Sequence, residues 1–402
     1  MTLLTIELAE YSISKEVIPF GVAAAVVAAS AGALTVTDVT AAGVRLQSQQ
    51  HVGVVATSEL EVRIRPKIPE ANVLGMLAAA TRMTSWLDAG TTLTQQPNLL
   101  RTIVSFYARS LHDVLAQGLQ RSYQEDAGHL IAPRGRLDIP AMVSMGGLPA
   151  PVPCRFDEYT SDHLLHRYLV TALERCLHLA DLDGNVRRWL LRARRDLAEV
   201  ASVKLAPDAI ERHHFSRLDD RYRPVAALAR LILEHLSIDL YSGTRQVRSF
   251  TVDMNRLFEA WVAARLPHHL PPHLEVAAQT TTYLDEDARL ALHPDLEIRA
   301  GRQAVYVADT KYKLTTGLGR ISDYYQAHAY ATVLGLPETL LIYCQAGDAV
   351  MPVVSEIRRS GVSVRIHAME LRGTYGQLED QLAKVAEVIT QGAVADERSI
   401  AN

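Results

Sequence analysis

Asp295, Asp309 and Lys311 are the residues of this chain whose types and spacing suit chemistry. They stand in Leu292-His293-Pro294-Asp295-Leu296 and in Val307-Ala308-Asp309-Thr310-Lys311, the second of which closes an apolar run. Two carboxylates can share a Mg²⁺, a hard cation that takes oxygen ligands and keeps several waters. An ion held there polarises a scissile phosphate and lowers the pKa of a water. The compact ammonium of Lys311 suits orienting that water or neutralising charge developing on the phosphorane. That chemistry is metal-assisted cutting of a phosphodiester. Asp-x-Lys alone also fits a surface hairpin with solvated ends, so the surrounding elements decide its value.

Leu296-Glu297-Ile298-Arg299 alternates apolar and polar residues, as a half-buried strand does. Ala300-Gly301-Arg302 is a short turn, with Gly301 free to take positive φ. Residues 303–309 are β-branched and aromatic without a breaker, which predicts a buried strand. Pairing residue 299 with 303 sets Asp295 opposite Val307 and makes Asp309 its diagonal neighbour on one face, with Lys311 two residues further on that face. Upstream, Thr251 is predicted to cap a helix through Met254, Leu257, Phe258, Trp261, Val262 and Leu266. Glu259 lies on that helix, one position from the apolar stripe. Residues 275–283 offer another strand. Downstream, 321–334 reads as a helix with Asp323, Gln326 and Tyr330 on one side. Strands over 338–345 and 362–371 and a helix over 375–391 follow.

This order of elements resembles the core of the PD-(D/E)xK nucleases. More of the chain can be compared. Val52-Gly53-Val54-Val55, Ile64-Arg65-Pro66-Lys67-Ile68, Arg134-Gly135-Arg136-Leu137-Asp138, Cys154-Arg155-Phe156-Asp157-Glu158-Tyr159-Thr160 and Leu257-Phe258-Glu259 are similar to blocks of the McrC family. Asp323-Tyr324-Tyr325-Gln326-Ala327-His328-Ala329-Tyr330 is similar to that family's Asp-x-Tyr-Gln-x-x-Ala-Tyr helix. McrC proteins are nuclease subunits of modification-dependent restriction systems and work with a GTP-driven AAA+ ring called McrB. The resemblance implies the same partner here, double-stranded DNA as substrate, Mg²⁺ as cofactor, and GTP bound by the partner rather than by this chain. Asp295, Asp309 and Lys311 then match the family's catalytic positions, and Gln326 and Tyr330 match its downstream helix, where a Gln closes over the active site. Glu259 matches a helix acid that some nucleases of this fold use for metal, although a solvated flank is the ordinary account of such a Glu. Asp323 is expected to be a helix-start residue rather than a ligand.

The expected fold is α/β (α+β): an N-terminal β-rich and helical partner-binding region over 1–150, a helical connecting region over 151–245, and a restriction-endonuclease-like core over 246–402. The first division follows the Gly/Pro cluster at 146–153. Short β-like runs lie at 33–39, 52–56 and 60–64, and amphipathic helices over 72–89 and 98–121. Residues 161–240 read as helical.

The formal net charge is −4, unexpected for a protein whose substrate is a polyanion. The densest basic cluster is on a helix, where Arg188, Arg192 and Arg195 share a face; they form a phosphate track or a solvated flank. Arg134 and Arg136 reach a partner's nucleotide as arginine fingers do, or form a turn with salt-bridged sides. The three cysteines are widely spaced, which argues against a zinc ribbon or disulfide scaffold and suits a reducing cytoplasm. The Ala- and Val-rich run at 21–34 is too short to span a bilayer, and no membrane role is expected. No Gly-x-x-x-x-Gly-Lys-Ser/Thr occurs, so a motor would come from another polypeptide. Without a Gly-x-Ser-x-Gly, a serine hydrolase is dismissed. Two other readings are an inactive scaffold that activates the partner GTPase and a stand-alone nuclease on branched DNA or RNA. The complete Asp-Asp-Lys set counts against the first, and the length of the resemblance against the second.

Overall fold

The computed structural model describes residues 4–81, 99–146, 150–179, 182–241, 245–313, 319–345 and 353–400. The chain forms two compact units, residues 1–99 with 239–402 and residues 100–238. These boundaries differ from the expected divisions after 150 and 245. The physical reason is β-pairing at long range: Arg245–Asp253 pairs antiparallel with His51–Ala56, so the N-terminal sheet is completed from the far side of the other unit's sequence.

That five-stranded sheet has the order Leu4–Ala9, Leu60–Arg65, His51–Ala56, Arg245–Asp253, Leu236–Tyr241. Ile6, Leu8, Val55, Leu60, Val62 and Ile64 bury one face against Val26 of a helix and Leu34, Val44 and Leu46 of a hairpin. The helix is Phe20–Ala29, the Ala- and Val-rich run of the sequence, and the hairpin is Leu34–Thr40 with Gly43–Ser48. Among the described residues no helix is long and apolar enough to cross a membrane. Gly53 has φ 135°, and a Cβ there would stand 2.0 Å from the Phe250 carbonyl oxygen, so only glycine permits this strand approach. The helix expected over 72–89 is Glu70–Ala80; residues 82–89 lie outside those described.

The second sheet of this unit is mixed and six-stranded, in the order Leu274–Ala278, Leu296–Ala300, Gln303–Lys311, Glu338–Gln345, Ser363–Glu370, Val353–Glu356. The helix Ile321–Leu334 covers one face, where Tyr330 and Ala331 meet Val307 and Ala327 meets Leu341 and Tyr343. Met254–Arg265 and Tyr375–Ile400 cover the other: Phe258 lies beside Tyr312, and a Cβ on Gly392 would strike the Tyr306 ring. Thr251 is inside a strand and does not cap the first of these helices. Asp253 does, accepting from the amides of Asn255 (2.9 Å) and Arg256 (3.3 Å). The strand expected over 275–283 breaks at Gln279, whose φ is 51°. Its remainder, Thr282–Tyr283, pairs with Ala291–Leu292 instead.

The hairpin register also differs from the expected one. Ala300 pairs with Gln303 across a two-residue turn, and a bulge between Ile298 and Arg299 then sets Leu296 opposite Ala308. Asp295 therefore does not lie opposite Val307 but reaches the far end of the neighbouring strand.

The unit of residues 100–238 packs the helices Leu164–Leu177, Gly184–Asp196 and Arg223–His235 around Leu165, Leu169, Leu173, Leu190, Leu228 and Ile232. The helix expected over 98–121 is Leu99–Ala116, with residue 98 outside those described. A three-stranded sheet that the sequence reading omitted pairs Ser122–Leu130 and Arg136–Leu137 with Val152–Thr160. It bridges the Gly/Pro cluster expected to divide domains, of which 147–149 lie outside the described residues. Most of its side chains are exposed, which removes the alternation that would have announced it.

Candidate active site

Asp295 enters its strand from a turn held on two sides. Pro294 restricts the backbone before it, the Tyr330 hydroxyl donates to the His293 carbonyl (3.0 Å), and the Gln279 amide donates to the Asp295 carbonyl (3.1 Å). Asp295 Oδ2 then accepts from the Thr310 amide (2.7 Å) and the Thr310 hydroxyl (2.8 Å). One side-chain oxygen is thus locked to the strand that carries Asp309 and Lys311, two side chains on one face of Gln303–Lys311.

Asp309 is fully buried. Its Oδ2 is in ionic contact with the Lys311 ammonium, yet neither carboxylate oxygen has a hydrogen-bond partner among the described residues. Burial first, and then the charge of Asp295, pushes its pKa up to about 7 against the pull of Lys311. For Lys311, burial opposes the ammonium, but Asp309, Asp295 and Asp323 outweigh it and raise the pKa, so the amine stays protonated at neutral pH. Lys311 Nζ donates to Gln326 Oε1 (3.1 Å), and Gln326 Nε2 donates to the Tyr330 hydroxyl (2.7 Å). Tyr330, pushed up to about 12 chiefly by burial, remains a neutral donor and closes this chain on the turn before Asp295.

Two adjacent carboxylates, one buried with unpartnered oxygens, fit a hard divalent cation that keeps much of its water. Glu259 is not brought in as a third ligand. Among the described residues no group of three or more His, Cys, Asp or Glu stands at metal-holding distance. Its Oε1 instead accepts from Gln279 Nε2 (3.1 Å), while burial and then Asp295 raise its pKa. Asp323 lies in the first turn of its helix, buried, with Tyr343 OH (2.5 Å) and Lys313 Nζ (3.4 Å) as partners. Sequence reasoning missed Thr310, because alternation assigns its side chain to the face opposite Asp309 and Lys311.

The raised pKa of Asp309 has a signed consequence for the metal-free fold. A carboxyl raised from 3.8 to about 7 stabilises the folded state fully below pH 3.8 and loses that contribution as pH rises through 7. The loss runs at about 1.4 kcal/mol per pH unit. Denaturant unfolding from about pH 4 to about pH 8 should show this decline in the wild type and its absence in Asp309→Asn. Parallel profiles for the two proteins would contradict it.

In the other unit, Arg134 lies 3.9 Å over the Phe156 ring and 3.8 Å from Glu158. Arg136 is exposed on the two-residue strand that pairs with Val152–Thr160. This is the turn with a salt-bridged side. Arg188, Arg192 and Arg195 are exposed on Gly184–Asp196. Arg188 contacts Asn185, and none of the three has an acidic partner among the described residues.

The family model described as "McrBC 5-methylcytosine restriction system component" matches residues 46–344. That span holds every candidate residue above. No curated protein matches the chain. Among solved structures, the chain is similar to one in a half-complex from the tetradecameric assembly of Thermococcus gammatolerans McrB AAA+ hexamers with bound McrC. The identity is 18%, covering 96% of this chain and 100% of that one, with a TM-score of 0.63. A chain in the cryo-EM structure of the Thermococcus gammatolerans McrBC complex is 21% identical over 66% of this chain and 88% of that one, with a TM-score of 0.44. The first likeness bears on fold; the second adds nothing to it. The family match covers well over half of the sequence, and the chain belongs to the McrBC 5-methylcytosine restriction system component family.

Proposed function

We propose that this chain is the DNA-cutting subunit of a modification-dependent restriction system, a Mg²⁺-dependent endonuclease of the PD-(D/E)xK type that works with an AAA+ GTPase of McrB type. The observation that carries the reading is the buried Asp309, which stands beside a second carboxylate and has Lys311 as the ionic contact of Oδ2 and no hydrogen-bond donor to Oδ1. Leaving the buried Oδ1 unpaired costs about 1–3 kcal/mol, a cost that a bound cation would offset. Asp295 and Asp309 would hold the ion, with Thr310 fixing the Asp295 carboxylate through its Oδ2. Bound there, Mg²⁺ would supply charge that polarises the phosphate and acidifies a water. Lys311 stays charged beside them to steady the water or the developing negative charge. Gln326 and Tyr330 hold Lys311 in place. Sequence choice and GTP binding fall to the partner, since this chain has no phosphate-binding loop. The McrC-bound McrB hexamers of the solved relative support that pairing.

The inactive-scaffold reading is disfavoured by the complete set of Asp295, Asp309 and Lys311 brought together at one strand end. The test is cleavage of methylated and unmethylated plasmid by the chain together with an AAA+ GTPase of McrB type from the same source. Cutting is expected only with Mg²⁺, GTP and both proteins. Cutting that survives chelation, or none at all while the partner's GTPase is stimulated, would overturn the reading.

A further inference from the structure

The strand that carries the chemistry is unevenly supported. Its ladder with Leu296–Ala300 ends at Ala308, so Asp309, Thr310 and Lys311 are paired on one side only, with Leu341, Ile342 and Tyr343. The next residue, Tyr312, is 2% exposed, and its ring lies 6.1 Å from that of Phe258. Its hydroxyl donates 3.1 Å to Glu10 Oε1, from a residue 302 positions earlier in the chain.

Glu10 is an unusual residue for its place. It directly follows the strand Leu4–Ala9 and is 4% exposed. Oε1 also accepts from the Lys67 amide (3.0 Å), while Oε2 is buried without a partner among the described residues. Burial pushes the carboxyl up to about 7 against these bonds and the Lys67 charge; Tyr11 and Cys344 are the other titratable groups facing it. An apolar side chain would fill the space at lower cost. What it would lack is an acceptor for Tyr312.

We infer that Glu10 is a positioning residue: through the Tyr312 hydroxyl it fixes the end of the strand that presents Lys311 to the two carboxylates. The N-terminal sheet thereby becomes part of the cutting machinery. This rests on the nuclease reading above.

The test compares Tyr312→Phe, Glu10→Ala and Glu10→Gln in the full chain with its AAA+ partner. Tyr312→Phe keeps the ring beside Phe258, so the fold survives. Misplacing a reacting group by about 1 Å costs up to about a hundredfold, so kcat should fall about tenfold in Tyr312→Phe and Glu10→Ala with KM for DNA unchanged. Glu10→Gln retains an acceptor oxygen and should recover most of the rate. The Lys311 Nζ resonance, read in lysine-labelled protein without substrate, should move in the first two variants and return in the third. Wild-type kcat together with an unmoved Lys311 resonance in Tyr312→Phe would overturn the inference, as would failure of Gln to rescue either readout. If the wild type itself does not cut, the nuclease reading has failed, and the Lys311 resonance still decides whether Glu10 positions it.

Discussion

Asp309→Ala and Lys311→Ala are each expected to reduce Mg²⁺-dependent cleavage by about a hundredfold to a thousandfold, since one preorganised electrostatic group alone is worth roughly 10²–10³. The double variant should be little worse than either single one, because groups that act as a unit are not additive. Loss of folding does not explain such an outcome for Asp309→Ala. Asp309 is a buried acid beside another carboxylate, and burial holds its pKa at about 7. Replacing it removes a destabilising charge, so Asp309→Ala should melt at or above the wild-type temperature at about pH 8 in the absence of metal. Lys311→Ala should behave oppositely, because it leaves Asp309 without its ionic contact. Stimulation of the partner's GTPase should persist in both. Retained cleavage in either variant would remove the catalytic assignment.

Trp261→Ala is expected to destabilise the protein by about 3–5 kcal/mol, the usual cost of truncating a large buried aromatic. Trp261 is fully buried on the helix Met254–Arg265, 6.0 Å from the Phe258 ring. Its indole N–H donates 3.2 Å to the Tyr375 hydroxyl at the start of the last helix. One side chain therefore joins two helices on the same face of the six-stranded sheet, and alanine loses both the volume and the hydrogen bond. Trp261→Phe keeps most of the volume and should cost about 1–2 kcal/mol. Denaturant midpoints measure both. A loss below about 1 kcal/mol for alanine would mean that the space refills and the contact is dispensable.

The hairpin of Asp295, Asp309 and Lys311 was legible because strand and turn chemistry are local: a β-branched run, a glycine, then another alternating run. Helical spacing set Gln326 and Tyr330 on one side of their helix, while their meeting with Lys311 was implied only by the family resemblance. The register was not legible, since a bulge between Ile298 and Arg299 leaves no mark in residue type. Val353–Glu356 went unnoticed as a four-residue edge strand with alternate side chains exposed. Asp253 was passed over as a cap in favour of Thr251, because the strand extends two residues past that threonine. The family resemblance offers Glu259 as a ligand where helix position alone suggests a solvated flank; its carboxylate accepts from Gln279. The largest gap was the discontinuous unit. Periodicity reports which face of an element is buried and never what covers it. Thus Asn72 donating to Leu371 O (2.9 Å), 299 residues away, had no precursor in the sequence pattern.

That discontinuity bears on how the protein is made. His51–Ala56 must wait for Arg245–Asp253 before its sheet closes, and Glu10 must wait for Tyr312. At about 5–20 residues per second on a ribosome, the opening segment spends many seconds without its final neighbours. Until residue 312 has been made, a nascent chain accordingly holds Glu10 without its Tyr312 donor and the first sheet without the support of the second.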